Sequence, residues 1–514
     1  MRARDTRWSV YWTLLLMAGV PVLYWGLTGE VWEDCLITFR ASHNFATGHG
    51  LTYQVGERDY SYSSPVNVLL LAAFDWMTRS GGFAVPLALY NLVSIACFTG
   101  AGLVVLRLTR KQDSLLMRHS AWLFPVLIVL CGRTTAFVVN GQEAGFWALF
   151  LMLAFGAVVR GAAENATALG FAWCGLMWTR PDSPIQITLL ALVALAWPAT
   201  NRLAELKGLL RAGAICAAGY LPWFLGTWIY YGSPVPNTIL AKVGAYAKDY
   251  PALVRLPLEV RLRDAVGGAF APIYGMGGAY WGEAWLWTSA ILGVIAALVW
   301  ATPGMSRMTR LASALFCGST VYYVFLWTVG FAFPWYFVPA CVFGSLVYAR
   351  LPFESGSLRG NFPALRVSLC ACCILVAGRF FVRWVPYSAV RQESVENAVR
   401  LPLGLWLKAH VAPGERVFLE PIGYIGYFSG AALYDYPGLT SPEVVRLRRQ
   451  GLDFYDLIGT LHPAWLVLRP AELDGLVRRP DVSKNYRVAA HFDNGGKQAG
   501  GDSEFYVLRR PAAH

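Results

Sequence analysis

The chain has 514 residues, of which 56% are hydrophobic and 14% are charged, and its formal net charge is +12. Soluble domains carry roughly 25% charged residues, so this composition excludes an ordinary soluble protein and indicates a polytopic membrane protein. The basic residues are scattered over loops without a basic stripe on any helix, so we expect them to meet anionic lipid rather than nucleic acid.

The first predicted element is a membrane span, SVYWTLLLMAGVPVLYWGL, which follows the basic segment MRARDTR. A spanning helix needs about 20 mostly apolar residues, and a basic flank prefers the cytoplasm. No small-residue cleavage site precedes Glu30. The sequence therefore predicts an uncleaved signal anchor, with the polar loop of residues 28–64 outside the cytoplasm.

This first loop opens with two adjacent acids, Glu33 and Asp34, close to the predicted end of the first span. Partial desolvation raises the basicity of a carboxylate, so the pair can act as a general base or bind a cation. A solvated pair of acids at the start of a loop is the alternative, and the spacing alone does not choose between the two.

The residues that follow, LITFRASHNFATGHGL, predict a short amphipathic helix in the membrane interface that ends at Gly48 and Gly50. Its apolar positions can rest on lipid or protein while Arg40 faces elsewhere. A helix of this kind beside two acids makes a shallow pocket that is open to both lipid and water.

Two later polar breaks carry ionisable residues. NGQEAGFW places Glu143 at the head of an apolar helix, and WTRPDS places Arg180 and Asp182 between two hydrophobic helices. An ionisable group costs roughly 2.5 to 3.5 kcal/mol at the bilayer centre, so these residues are expected to face a cavity or the interface. An acid favoured by the helix dipole and a simple paired loop are the alternatives.

A second polar loop begins with YYGSPVPNTILAKVGAYAK, after another long span. Two prolines and a glycine stop the helix, Asn237 lies at the turn, and Lys242 presents a cation. A cation beside the membrane can bind lipid phosphate, and a lysine that only reaches for the interface is the alternative.

After Arg383 the apolar runs become shorter and charges more frequent. RVFLEP, AALYDY, PAWLVLRP and EFYVLRR predict short strands, separated by helical stretches such as PEVVRLRRQGLDFYDLIGTL. The sequence therefore predicts a transmembrane module over residues 1–383, with about ten to thirteen spans. An α/β domain outside the bilayer follows over residues 384–514.

Six stretches in order carry a family resemblance: WEDCLITFRASHNFATGHGLTYQVGERDYSYSSPV, NGQEAGFW, WTRPDS, YYGSPVPNTILAKVG, PWYFVPA and RVFLEPIGYIGYFSGAALYDYPGLTSPEV. Together they resemble motifs of the GT-C membrane glycosyltransferases, especially the cell-wall arabinofuranosyltransferase branch, over almost the whole chain. The sequence departs from that pattern at Glu33, where an aspartate is usual, at Gln142, where an apolar residue is usual, and at Ser183, where a glycine is usual. PWYFVPA also lacks the arginine expected before its tyrosine.

The resemblance implies a GT-C fold in the cytoplasmic membrane, with the active site and the C-terminal domain extracytoplasmic. It implies transfer of a sugar, possibly arabinofuranose, from a polyprenyl-phosphate donor to a polysaccharide, a glycolipid or a surface protein such as a pilin. Attack opposite a phosphate leaving group would invert the anomeric centre. Membrane lipid is a further expected partner, and nucleic acid is not.

Our hypothesis makes Asp34 the catalytic base, with Glu33 and Glu143 as further catalytic acids. The expected donor-phosphate ligands are Arg40, Arg180 and Lys242. The expected substrate contacts are His49, Tyr62, Asn237 and Asp182. The only cofactor in this hypothesis is a divalent cation, Mg²⁺, Mn²⁺ or Ca²⁺, with Asp34 and Glu143 as its ligands.

Two other functions stay open at this point. A lipid-linked sugar flippase or transporter would place ionisable residues deep inside spans and often shows symmetry between its halves. A non-catalytic envelope assembly subunit would keep the fold and bind partners through its C-terminal domain. Acids clustered at span ends, without an evident internal repeat, favour the enzyme over the transporter.

Overall fold

A computed structural model describes residues 2–79, 81–110, 115–242, 257–270, 282–329, 333–354, 363–496 and 502–511. The chain divides into two compact units, each built from three separate stretches. The first, called the membrane-helix unit, contains Met1–Leu27, Asn91–Phe224 and Arg255–Pro386. The second, called the loop-and-sheet unit, contains Thr28–Tyr90, Leu225–Val254 and Tyr387–His514.

The α-helices before the C-terminal residues are, in chain order, α1 (Arg2–Thr28), α2 (Glu33–Ala46), α3 (Pro65–Thr78), α4 (Ala84–Arg110), α5 (Leu115–Leu130), α6 (Gly132–Val139), α7 (Ala144–Arg160), α8 (Ala166–Thr179), α9 (Ser183–Ala196), α10 (Arg202–Tyr231), α11 (Asn237–Lys242), α12 (Leu258–Gly267), α13 (Glu283–Leu298), α14 (Arg307–Val329), α15 (Val338–Arg350) and α16 (Pro363–Arg391). Short 3₁₀ turns lie at Val299–Ala301, Pro334–Phe337 and Leu351–Phe353. A π-helical segment, Gln392–Arg400, continues α16 into the helices of the C-terminal residues.

Six helical segments among the described residues are long and apolar enough to cross a membrane: Trp8–Thr28, Ala84–Arg110, Arg202–Tyr231, Glu283–Ala301, Pro334–Phe353 and Ala364–His410. The bent pair Trp122–Leu130 and Gly132–Val139 makes a seventh if it counts as one span. Three shorter apolar helices are α3, α7 and α9. The polytopic helical fold is confirmed. By length and composition, the described residues contain fewer full spans than the ten to thirteen expected, because several apolar helices are shorter than about 20 residues.

The C-terminal residues form a five-stranded sheet of order β2-β1-β3-β5-β4. Its strands are β1 (Arg416–Leu419), β2 (Ala432–Asp435), β3 (Trp465–Leu468), β4 (Arg487–Asp493) and β5 (Glu504–Arg509). The helices of this region are α17 (Leu401–His410), α18 (Tyr424–Ser429), α19 (Pro442–Arg449), α20 (Phe454–Leu461), α21 (Pro470–Val477) and α22 (Pro480–Ser483). β1 pairs in parallel with β2 and β3, whereas β5 runs antiparallel to β3 and β4.

The four strands predicted from the sequence are confirmed, and so is the α/β character of the C-terminal domain. β4 was not predicted, because its residues RVAAHFD lie mostly at the surface and show little apolar alternation. The single helical stretch predicted after the second strand is two helices, α19 and α20. Gly451, with φ of +97°, lies between them.

Hydrophobic residues cover both faces of the sheet, because neighbouring strand residues point to opposite sides. Phe418, Leu466 and Leu508 pack on one face with the helices that follow the strands. The other face buries Val417, Val467 and Val507 against α17. Two first-loop residues, Ile37 and Tyr53, belong to this second core. The loop that carries the candidate acids is therefore packed into the core of the C-terminal domain.

Candidate active site

The two acids of the first loop are the first two residues of α2, where the helix dipole favours negative charge. Each oxygen of the Glu33 carboxylate accepts a hydrogen bond. The bond from the Arg400 guanidinium is 2.7 Å long, and the bond from the backbone N–H of Gly423 is 3.1 Å long. A side chain at Gly423 would lie 2.2 Å from the Glu33 backbone oxygen, so only glycine allows this contact. Gly423, the first glycine of PIGYIGY, therefore lets this segment pack closely against α2.

Arg400 is the centre of a buried ion network, with 1% of its surface exposed. Besides Glu33, its guanidinium contacts the carboxylates of Glu396 and Asp502, each at 2.9 Å. Asp502 in turn accepts a bond of 2.7 Å from Arg469. In this network the three carboxylates of Glu33, Glu396 and Asp502 share the positive charges of Arg400 and Arg469. Burial raises the pKa of Glu33 to about 7, which the charge of Arg400 only partly offsets.

Asp34 has the opposite environment. Within the described residues its carboxylate accepts no hydrogen bond and forms no ion pair, and its backbone carbonyl receives the Thr38 hydroxyl at 3.3 Å. Burial raises the pKa of Asp34, and the positive charges of Lys242 and Arg400 oppose that rise. A carboxylate with unused lone pairs and raised basicity is suited to accept a proton from a substrate hydroxyl.

Arg40 acts within the fold of the loop-and-sheet unit. Its guanidinium donates to the carbonyl oxygens of Gly426 at 2.7 Å, Gly430 at 3.3 Å and Ala431 at 2.9 Å. It also lies 4.2 Å from the centre of the Tyr53 ring. These contacts use most of its donors to fix α2 against α18, so little of the guanidinium is left for a phosphate.

The second loop meets both the first loop and the C-terminal domain at Asn237. Its backbone N–H donates to the Tyr60 carbonyl at 2.8 Å, and its side-chain amide donates to the Gly438 carbonyl at 2.5 Å. The ring of Tyr60 stacks on Tyr231, with centroids 4.5 Å apart. The hydroxyl of Tyr62, which is buried, receives the Tyr231 hydroxyl at 3.4 Å. Asn237 and Tyr62 therefore build the walls of this region.

His49 lies apart from these contacts, at the exposed end of α2. Its Nδ1 is 3.0 Å from the Thr47 hydroxyl. Gly48 and Gly50, with φ of +85° and +90°, end the helix beside it as the sequence predicts. The structure gives His49 no contact with the two acids.

The membrane-helix unit holds its own polar cluster. The Arg180 guanidinium donates to Asp182 at 2.7 Å and contacts Glu143. It lies 4.6 Å from the ring centre of Trp147 and 5.0 Å from that of Tyr336. The cluster is buried and carries two carboxylates for one guanidinium. Its charges are paired with one another, which makes Arg180 a weaker phosphate ligand than an unshared cation.

The predicted site residues are therefore divided between the units. Seven lie in the loop-and-sheet unit: Glu33, Asp34, Arg40, His49, Tyr62, Asn237 and Lys242. Three lie in the membrane-helix unit: Glu143, Arg180 and Asp182. The predicted metal ligands Asp34 and Glu143 fall in different units, and the described residues contain no group of three or more His, Cys, Asp or Glu placed to hold an ion. Metal binding by Asp34 and Glu143 therefore stays a prediction, and we derive no step through a metal.

The ion network around Arg400 was missed in the sequence. Arg400 and Asp502 lie far along the chain from Glu33, and nothing in their local patterns marks them as partners of a first-loop acid. The one available signal was the cluster of glycines in PIGYIGY, which indicates a close backbone approach.

The comparisons with known proteins concern the fold. Residues 388–507 match a family model described as "Domain of unknown function (DUF8728)". No curated protein matches the chain. ArnT from Cupriavidus metallidurans bound to undecaprenyl phosphate has a similar structure, with a TM-score of 0.56 and 14% identity over 99% of each chain.

The archaeal oligosaccharyltransferase AglB from Archaeoglobus fulgidus, in complex with an inhibitory peptide and a dolichol-phosphate, is similar with a TM-score of 0.52 and 13% identity. That similarity covers 89% of this chain and 69% of AglB. An oligosaccharyltransferase structure from the same organism, tethered to an acceptor peptide, gives a TM-score of 0.53 and 12% identity over 96% of this chain and 74% of the other. Such low identities establish the fold alone. The chain therefore has the GT-C fold, with several candidate membrane spans and a C-terminal sheet domain.

Proposed function

We propose that this protein is an integral membrane glycosyltransferase that uses a polyprenyl-phosphate-linked sugar. The observation that carries the proposal is Asp34, an acid at the start of α2 whose carboxylate has no described partner and whose pKa is raised by burial. The GT-C fold supports the class of reaction, and its relatives ArnT and AglB were solved with polyprenyl or dolichol phosphate.

In the proposed reaction, Asp34 accepts the proton of an acceptor hydroxyl as that oxygen attacks the anomeric carbon. The bond between the anomeric carbon and the phosphate oxygen breaks, and polyprenyl phosphate leaves with the bonding electrons. Attack opposite the leaving group inverts the anomeric centre, through a transition state with oxocarbenium character. No cofactor is needed to balance this step.

Lys242 is the proposed cation for the departing phosphate. It ends α11 and its charge acts on Asp34, so it lies in the same electrostatic environment as the base. A preorganised cation stabilises charge as it develops in the transition state. The engaged donors of Arg40 and the paired charge of Arg180 make both weaker choices for this role.

Glu33 is proposed to position Asp34 rather than to react. Its bonds to Arg400 and Gly423 hold the first turn of α2, which fixes the direction of the next side chain. Glu143 and Asp182 are proposed to hold Arg180 in the membrane-helix unit, where the rings of Trp147 and Tyr336 also pack against its guanidinium.

The finer assignments follow the motif resemblance. An arabinofuranose donor, an extracytoplasmic site in the cytoplasmic membrane, and a glycan, glycolipid or protein acceptor are all part of the proposal. Binding of a divalent cation by Asp34 and Glu143 also stays a prediction. Transfer measured before and after treatment with a chelator, followed by addition of Mg²⁺, Mn²⁺ or Ca²⁺, tests it.

Mass spectrometry of the lipid that co-purifies with the full chain tests the proposed function. We expect a polyprenyl phosphate or its glycosylated form. With a synthetic polyprenyl-phosphate arabinofuranose and a membrane extract as the acceptor source, we expect release of polyprenyl phosphate. The proposal would be contradicted if no polyprenyl lipid co-purified and no polyprenyl phosphate were released from any of a panel of such donors. Movement of intact donor across a bilayer without release would support a flippase instead.

A further inference from the structure

A cavity of about 470 Å³ lies within the loop-and-sheet unit and was not anticipated by any motif. Three separate stretches line it: the first loop with Arg58 and Tyr60, the second loop from Tyr231 to Leu240, and helix α19. Its volume is in the range of small-ligand sites, which is roughly 300 to 1,000 Å³.

The walls of this cavity are held by polar contacts. Asn237 bonds to the carbonyls of Tyr60 and Gly438, which joins the two loops to the segment before α19. Arg448 donates to the carbonyls of Ala241 at 3.0 Å and Pro437 at 2.9 Å. These bonds fix α19 beside α11, so the cavity is built into the fold.

The charged side chains that line the cavity are all positive. Arg58, Arg446 and Arg449 line it, and none of the described lining residues is acidic. Arg446 lies 3.3 Å from Glu443, but both side chains are largely exposed, at 68% and 47%, so this pair neutralises little of the charge. Guanidinium groups bind carboxylate and phosphate through paired N–H donors.

Two aromatic side chains also line the cavity. Tyr60 and Tyr231 stack on each other nearly parallel, at 11°. This stacked pair gives one side of the cavity a rigid, partly apolar wall. Asn237 and Ser233 add further polar groups to the lining.

We propose that this cavity binds the acceptor of the reaction, and that the acceptor is an anionic saccharide bearing carboxylate or phosphate groups. This inference rests on the proposed function. The cavity and the candidate base are both associated with helix α11. Leu240 of this helix lines the cavity, and the positive charge of Lys242, its last residue, acts on Asp34.

Binding of tetragalacturonate to the full chain in neutral-lipid nanodiscs, without donor, tests the proposal. Its methyl ester, which lacks the charges, is the matched probe. We expect the acid to bind at least about tenfold more tightly than the ester, and the Arg446→Gln/Arg449→Gln variant to lose about tenfold for the acid. Arg58→Gln is a second variant, expected to weaken binding in the same direction.

The control is Arg478→Gln/Lys484→Gln, which removes two exposed positive charges of the same domain outside the cavity. It should bind like the wild type, and thermal unfolding should show that all variants are folded. Equal binding of acid and ester, or unchanged binding by both the double variant and Arg58→Gln, would overturn the proposal.

Two competition experiments distinguish an anionic saccharide from a lipid headgroup and from free phosphate as the ligand of the cavity. Nanodiscs with phosphatidylglycerol that abolish tetragalacturonate binding would assign the cavity to lipid headgroups and overturn the saccharide assignment. Inorganic phosphate that competes as strongly as the tetrasaccharide would reduce the site to a simple anion site and also overturn it. Asp34→Asn should bind tetragalacturonate normally, so failure of the catalytic proposal would leave this result unchanged.

Discussion

Two of the polar clusters in the described residues differ in how their charges are paired. In the membrane-helix unit, Arg180 contacts the carboxylates of Glu143 and Asp182 and is packed between aromatic rings. In the loop-and-sheet unit, Glu33 is bonded to Arg400 in a similar way, but its neighbour Asp34 has no hydrogen bond or ion pair with a described residue. Paired buried charges hold a fold in one arrangement, whereas an unpaired acid is available to a substrate.

The largest effect is expected from breaking the paired cluster. Arg180→Met leaves two buried carboxylates without their cation, which should lower the free energy of unfolding by about 3 to 5 kcal/mol. Thermal or denaturant unfolding of the purified protein in detergent measures this. Arg160→Met removes an exposed arginine at the end of α7 and should change stability by less than about 0.5 kcal/mol. Equal stability of the two variants would show that the Arg180 cluster is not a structural unit.

The next effect concerns the cation beside the unpaired acid. Lys242→Met should lower transfer by about 100-fold, because the departing phosphate loses a preorganised positive charge. Since Lys242 lowers the pKa of Asp34, its removal should also move the acidic limb of the pH–rate profile to higher pH. Lys207→Met, which changes an exposed lysine of α10, is the control. If the acidic limb of the pH–rate profile stays in place or moves to lower pH, Lys242 does not lower the pKa of Asp34.

The smallest effect tests the pairing of Glu33. Its pKa in the folded protein is about 7, above the usual value of 4.5, so the stability that its neutral form provides is complete below pH 4.5 and is lost as the pH rises through 7. Glutamine stays neutral. Glu33→Gln should therefore gain stability relative to the wild type between pH 5 and 8, by about 1 to 3 kcal/mol.

Unfolding measured across that pH range is the readout for Glu33→Gln. Glu164→Gln, an exposed acid, should run parallel to the wild type. If Glu33→Gln also runs parallel to the wild type, Glu33 is ionised throughout and the account of its environment is wrong.

Much of the fold could be predicted from local patterns. Apolar length identified the polytopic class, and short β-rich runs identified four of the five strands. A short helix after the two acids was predicted from its amphipathic spacing, and α2 occupies most of that stretch. β4 was not predicted, because the sequence of an exposed edge strand shows little alternation of hydrophobic and polar residues.

The site could be predicted only in part. The position of Glu33 and Asp34 directly after the first span marked them as candidate catalytic acids. The different roles proposed for the two depend on Arg400 and Gly423, which lie far along the chain. The cavity depends on three distant stretches in the same way. Contacts of this kind arise from tertiary packing, and periodicity within one segment carries no information about them.

The central claim is that Asp34 accepts the proton of the acceptor. The most direct measurement is the rate of sugar transfer by folded Asp34→Asn, together with its affinity for the donor. Asparagine matches the shape of aspartate but cannot take the proton, so we predict a loss of at least about 1,000-fold in transfer with donor binding unchanged. Asp474→Asn, at an exposed position of the C-terminal domain, should retain full activity. Transfer by Asp34→Asn within tenfold of the wild type would contradict the account.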